Sequence, residues 1–425
     1  MSISLDSDVA RAAIAKRDLV VDLARVACVL LVVVIHLLMI GVGIGPDGAI
    51  IASRPLEAQP WFAAATWAGQ IMPLFFALGG FTALTAWRSL ERRGGDQVDF
   101  VRGRVLRLAR PALPLFVFFS IALGAATMLG VDPTLLEIVA TGAGSPLWFI
   151  AAFVLAQVFA PTMVRLHAIA PARTMLVLFT CAVLVDAVRV ATGIVEIGLL
   201  NLVFVWFFVQ QLGFWFADGW FRDRRRWQLI VLVVVPYPLI GGLVAAGWYS
   251  PDMLVNLNPP TVPLALLGIA QVSLLALLHR PLTALMRRSW MQAAVLLVGS
   301  RAMTIYLWHL PVIIAVSGLA LLVPVLSPIP GSAAWWATRP IVLVVVLAIV
   351  MLIAMPLSRF ETASTALHDG FRRPSALATW TAAALTFLPA AAVMQYFLDL
   401  PIALFGAASL TIAQLLLRGR RARNA

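Results

Sequence analysis

The sequence predicts an all-α fold, a polytopic bundle of transmembrane helices, and three observations predict it. First, 62% of the 425 residues are hydrophobic, only 12% are charged, and the mean hydropathy is +0.97. A soluble domain of this length has no use for so much apolar surface. Second, the apolar residues fall in long unbroken runs. In lipid the backbone must satisfy its own hydrogen bonds, and runs of about 20 residues do so as helices. Third, arginines cluster in the short segments at alternate gaps between runs, which is the positive-inside pattern. The net charge of +12 therefore reads as membrane topology rather than as a surface for nucleic acid. Cys28 and Cys181, the two cysteines, both fall inside apolar runs, which argues against a disulfide framework or a thiolate metal site.

Taken in order, residues 1–17 are polar and basic, with Arg11, Lys16 and Arg17, and predict a cytoplasmic N-terminus. The first span covers 18–43; it is long, charged within and lacks a small-x-small cleavage site, unlike a signal peptide. An outer loop with Gly45-Pro46-Asp47 and Arg54 leads to the second span, 62–87, and then to the most basic stretch of the chain, the loop 88–110. The third span, 112–130, is followed by an outer loop holding Asp132 and Glu137, and the fourth covers 146–164. Spans five and six, 174–192 and 199–217, are joined by a short turn at Glu196. Arg222, Arg224, Arg225 and Arg226 precede span seven, 228–248; span eight is 261–279, followed by Arg280, Arg287 and Arg288. Residues 290–299 are apolar and either extend span nine, 301–323, or form a separate helix. Span ten, 337–357, is followed by Arg359, Arg372 and Arg373; spans eleven and twelve, 376–397 and 401–417, precede an arginine-rich tail. Twelve spans place both termini on one side, the cytoplasmic face of the cell (inner) membrane. Only Arg54 and Arg339 then sit in or beside outer loops.

The chemistry must come from the few polar residues in these spans. Arg25 and His36 are eleven residues apart in the first span, hence about 16 Å apart along a helix axis and on nearly one face. Asp18 and Asp22 extend that stripe. Ionisable groups inside a membrane face the bundle interior or a wet cavity, and are functional candidates by default. His36 and His309 are the histidines within spans; His167, His279 and His368 fall at loops or ends. A neutral histidine suits a general base. Tyr306 and His309 share a helix face three residues apart. Asp186 and Arg189 read as an intramembrane ion pair, and Gln210 and Gln211 as polar bonds between helices or the lining of a polar cavity.

Five segments, in order, carry a resemblance: Asp22-x2-Arg25-x10-His36; Met72-Pro73-Leu74-Phe75-Phe76-Ala77-Leu78-Gly79-Gly80-Phe81; Arg104-x2-Arg107 followed by Pro111; Pro146-Leu147-Trp148-Phe149; and Ser300 with Ile305-Tyr306-Leu307-Trp308-His309-Leu310-Pro311. Together they are similar to the motifs of the acyltransferase 3 family of integral membrane acyltransferases. Gly79 stands where that family often has Ser, and one extra residue separates Ser300 from Ile305. The resemblance implies a ten-helix acyltransferase core within 1–373, with two further C-terminal helices and a basic tail in 374–425. It implies transfer of an acyl group, commonly acetyl, from cytoplasmic acyl-CoA to a hydroxyl of a carbohydrate or glycoconjugate, often on the outer side. Acyl-CoA is then a donor substrate and no cofactor is tightly bound.

On that reading Arg104 and Arg107 hold the CoA phosphates, since guanidinium groups are permanently charged bidentate donors. Arg25 continues the positive path inward. His36 either activates the acceptor hydroxyl or carries the acyl group transiently, and His309 is the second chemical candidate. The competing class is a transporter or flippase of a lipid-linked or polar solute, with internal charges lining its path. A non-catalytic protein on an inherited scaffold is a third. The two spacings, Arg25 to His36 and Arg104 to Arg107, favour the enzyme, because a carrier needs neither a base nor a phosphate clamp.

Overall fold

A computed structural model describes residues 17–45, 48, 50–362, 371–418 and 420–421. Arg11, Lys16, Pro46, Asp47, His368 and Arg423 lie outside the described residues. Among the described residues, twelve helical segments are long and apolar enough to cross a membrane. The protein is an all-α, multi-pass membrane protein.

Helix α1, Leu19–Met39, starts at Asp18, whose carboxylate accepts from the backbone N–H groups of Val20 and Val21. It is shorter than the expected 18–43, because Gly41–Ile44 (β1) leaves the helix to pair antiparallel with Ile50–Ser53 (β2). The second span is two helices, α2 (Phe62–Gly69) and α3 (Met72–Glu91). The break is held by amides: Gln271 donates to the Gln70 carbonyl at 2.6 Å and accepts from the Leu74 N–H at 2.9 Å. Side chains from a neighbouring helix thus satisfy the backbone groups that the break frees.

Two expected boundaries are corrected. The basic stretch 88–110 is mostly helix, not loop. Asp96 and Asp99 form a capping box that starts α4 at Gln97, and the helix runs to Met128 through Pro111 and Pro114. Arg102, Arg104, Arg107 and Arg110 are therefore presented on a rigid helix. The acidic segment with Asp132 and Glu137 is also not a loop. Asp132 caps a helix with proline at its first position, and the fourth span begins there. That span comprises α5 (Pro133–Gly144), a turn at Ser145–Leu147, and α6 (Trp148–Val158); α7 (Ala160–Ile169) follows.

The remaining helices follow the expected order: α8 (Pro171–Thr192), α9 (Asn201–Ala217), α10 (Arg226–Val234), α11 (Pro236–Ala245) and α12 (Val262–Leu285). Residues Ser289–Gly299 form a separate helix, α13, before α14 (Ala302–Ala320). Then come α15 (Ala333–Thr362), α16 (Ala376–Tyr396) and α17 (Leu400–Leu417).

Two packed clusters position the site. The larger joins α3, α4, α6, α9, α12, α16 and α17. Where α3 crosses α9, a Cβ on Gly213 would overlap the Ala77 carbonyl, so only glycine permits this approach. In the smaller, Val29, Val33 and Leu37 of α1 pack with Ile305, Leu310 and Ile313 of α14 and Val346 and Val350 of α15. The last two helices lie along α4: Arg102 Nε donates to the Leu417 carbonyl at 3.1 Å, and Gln414 Nε2 to the Ala109 carbonyl at 3.3 Å.

Candidate active site

The arginine-rich ends of the helices meet on one face of the bundle. His279 at the far end of α12 lies 3.3 Å from Asp18 at the start of α1. Arg88 at the end of α3 bonds Asp218 after α9, and Arg373 reaches Asp99 at the start of α4 at 3.1 Å. Burial works against the charge of Asp218, but its bonds to Arg88 and His167 prevail and hold its carboxyl below the usual range. His167, expected at a loop or a helix end, lies in the last turn of α7, buried and 2.7 Å from Gln211 Oε1.

Arg25, Arg104 and Arg107 gather on this side. Arg25 feels the charge of Arg107, and Arg104 that of both others. Arg104 spends one N–H on the Thr82 carbonyl at 3.0 Å and lies over the Phe100 ring. Asp22, the acid nearest Arg25 in sequence, is bonded to Arg17 at 2.9 and 3.1 Å, though its charge still reaches Arg25. Among the described residues no carboxylate pairs with Arg25, Arg104 or Arg107. Three guanidinium groups within electrostatic reach of one another, with Asp22 the acid whose charge Arg25 feels, are an arrangement that suits an anion with several negative groups.

About 16 Å further along α1, His36 meets His309. Nδ1 of His36 lies 2.8 Å from Nε2 of His309, with the rings stacked at 5.0 Å. The protons follow from the next contact. His309 Nδ1 is 2.6 Å from the Tyr306 carbonyl oxygen, which can only accept, so His309 carries its proton on Nδ1. Its Nε2 is then a lone pair, and His36 donates to it from Nδ1. In neutral His36 this leaves Nε2 as a free lone pair. His309 is fully buried and His36 half-buried; only His36 retains access for a substrate.

The sequence motifs converge here. Tyr306 donates its hydroxyl proton to the Pro146 carbonyl at 2.8 Å, so α14 is tied to the turn that interrupts the fourth span. Phe149 packs on Tyr306, and Phe75 and Phe76 pack on Phe149. Trp148 stacks on Trp206, and Gln210 and Gln211 bond the carbonyls of Ala156 and Met163 across helices. The five expected residues fall in two groups at different depths: His36 with His309, and Arg25 with Arg104 and Arg107. The family model for the acyltransferase 3 type, described as an acyltransferase domain, matches residues 18–359. The chain belongs to the acyltransferase 3 family. It is therefore a membrane acyltransferase, and all five motif segments lie inside the matched region. Comparison with curated proteins and with solved structures gave no match.

Sequence reasoning missed two groups near the histidine pair, and saw only one of the partners of Asp186. Glu361 caps the start of α14 by accepting from the Thr304 N–H at 2.6 Å and from its hydroxyl. The Tyr306 carbonyl sets the histidine tautomers. Asp186 is more than half of an ion pair: besides Arg189 at 3.5 Å, it accepts from Asn201, Tyr249 and the Val262 N–H. Burial and the Asp186 charge push the Tyr249 phenol well above its ordinary value. Among the described residues, no group of three or more histidine, cysteine or acidic side chains is arranged to hold a metal ion.

Proposed function

We propose that this acyltransferase moves an acyl group, most simply acetyl, from acyl-CoA to a hydroxyl of a sugar or glycoconjugate, with His36 as general base. The observation that carries the reading is the proton order of the histidine pair. Tyr306 fixes His309, His309 fixes His36, and the lone pair of His36 Nε2 is left for the acceptor. The acceptor hydroxyl gives its proton to that lone pair as its oxygen attacks the thioester carbonyl. The tetrahedral adduct collapses, the carbon–sulfur bond breaks, and the CoA thiolate takes the proton from His36. His36 is neutral again, and no residue has been consumed. His309, accepting from Nδ1, holds the ring in place and stabilises the transient imidazolium.

The arginine-rich face suits the donor. Arg104 and Arg107 bind CoA phosphates, Arg25 extends the positive path, and an extended pantetheine arm spans the remaining distance to His36. That face is cytoplasmic on this reading, in the cell membrane, with both termini on the same side; the acceptor enters from the opposite face. A transporter needs neither the oriented lone pair nor the phosphate clamp.

The test compares wild type with His36→Ala, purified in nanodiscs. Binding of acetyl-CoA should be the same in both, while acceptor-dependent release of CoA should fall by a factor of about 10²–10⁴ in the variant. CoA release by His36→Ala at the wild-type rate would remove His36 from the chemistry. Absence of saturable acetyl-CoA binding by the folded wild type would remove the donor assignment.

A further inference from the structure

The face opposite the arginine-rich one carries few cations. Arg54 there bonds Glu57 at 3.0 Å, and Arg189 pairs with Asp186 at 3.5 Å. Arg339, two turns into α15, has no carboxylate partner among the described residues. It is only 9% exposed. Its Nε donates to the Trp335 carbonyl at 3.1 Å, one Nη2 proton goes to Thr338 Oγ1 at 3.0 Å, and the guanidinium lies over the Trp335 ring at 4.2 Å. The Nη1 amino group makes no bond to another described residue. A guanidinium has five N–H donors in a planar fork, so most of its donor capacity is unused.

Two further polar groups at the same end of α15 are also unsatisfied. The Trp335 indole N–H is buried without a partner, and so is the hydroxyl of Ser327 in the loop that enters the helix. A buried cation without counter-charge is costly, and an unused buried donor adds to the cost. Both costs are relieved by an anion that takes the guanidinium fork.

The position of Arg339 says what such an anion would belong to. Helix α15 packs against α1 and α14, the two helices that carry the histidine pair. Val346 of α15 shares a cluster with Val33 and Leu37, the residues flanking His36. Arg339 is seven residues before Val346, about 10 Å further toward the arginine-poor face. Arg339 therefore lies at a level between that face and His36.

We infer that Arg339, stacked on Trp335, is a binding site for a carboxylate or phosphate, and that it holds the acidic group of an anionic oligosaccharide acceptor whose hydroxyl reaches His36. The inference rests on the acyl-transfer reading for its acceptor and on the Arg339 environment for its anion. The separation places the charge and the acylated hydroxyl on different parts of an extended acceptor, so acidic oligosaccharides are selected over neutral ones and over small hydroxy acids.

The probes are a labelled oligogalacturonate and its methyl-esterified, uncharged counterpart. Each is titrated into full-length protein in phosphatidylcholine nanodiscs, with excess CoA present to occupy the arginine-rich face. Wild type should bind the charged probe at least tenfold more tightly than the ester. Arg339→Gln should abolish the difference, and Arg339→Lys should keep part of it by retaining the charge without the fork. Equal binding of both probes by wild type overturns the inference. So does an Arg339→Gln variant that binds like wild type or weakens both probes equally, the latter marking a purely structural stack. In discs containing phosphatidylglycerol, competition against the charged probe in wild type but not in Arg339→Gln would assign the site to a lipid phosphate and overturn the acceptor assignment. Acetyl-CoA binding without the competing CoA is measured on the same preparations. Its failure in wild type strikes the donor reading alone, because the two probes never engage the donor.

Discussion

At the scale of single residues, the decisive atom is one that no side chain supplies. The Tyr306 carbonyl oxygen fixes the proton of His309 on Nδ1, and this sets which nitrogen of His36 is free. On the proposed mechanism His309 is a positioning residue for His36, where sequence alone offered it as a second chemical candidate. The consequence is testable by exchange. His309→Ala leaves the His36 Nδ1–H without its acceptor, and the ring is free to turn or to change tautomer. kcat should fall about 10²-fold or more, with KM for acetyl-CoA unchanged. His309→Gln, whose amide oxygen can accept the same proton, should recover part of the loss. Equal damage from both variants in kcat and KM together would mean that His309 only fills space. The spacing of Arg25 and His36 was legible because a helix converts eleven residues into one face. The pairing of His36 with His309 was not, because 273 residues separate them and no local rule relates them. Asp22 illustrates the reverse. It lies three residues from Arg25 on the same stripe, yet its ion pair is with Arg17.

At the scale of elements, apolar runs located the spans, and polar caps decided where helices begin. The stretch 88–110 read as a loop because charge normally marks one, yet the Asp96–Asp99 box starts a helix that carries four arginines in its first half. Asp132-Pro133 was the corresponding signal for the fourth span. The interruptions within spans were the least legible, since their stability comes from distant residues such as Gln271 and Tyr306. Glycines matter at one crossing above all. On Gly213, facing the backbone of α3 at Ala77, a methyl group has no flexible side chain to push aside. Gly213→Ala should therefore force α9 from α3 and lower stability by about 1–3 kcal/mol or more, read as a lower Tm in detergent. Gly69→Ala, with open space around its Cβ position, is the control and should leave Tm unchanged. A Gly213→Ala protein with wild-type Tm would show that the crossing is loose.

At the scale of the whole molecule, the two groups lie at different depths of one bundle. The arginines gather toward one face, and the histidine pair lies about 16 Å deeper along α1, toward the face where β1 and β2 pair. The arrangement suits the proposed reaction, in which the substrates arrive from opposite sides, the donor thioester from the arginine-rich face and the acceptor from the other. Sidedness then follows without knowing the acceptor, because water can replace it slowly. Acetyl-CoA carrying a labelled acetyl group is added outside sealed proteoliposomes that contain an oligosaccharide. The label should appear inside, as ester or as free acetate, while CoA is released outside. Random insertion does not spoil the result, since only molecules with the arginine-rich face outward see the donor. His36→Ala vesicles should show neither product at the wild-type rate. If label stays outside while CoA is released, both substrates use the same face, and the path from Arg25 to His36 is not a route across the bundle. If label enters still attached to CoA, the molecule carries its donor rather than cleaving it, and the lone pair on His36 has another use.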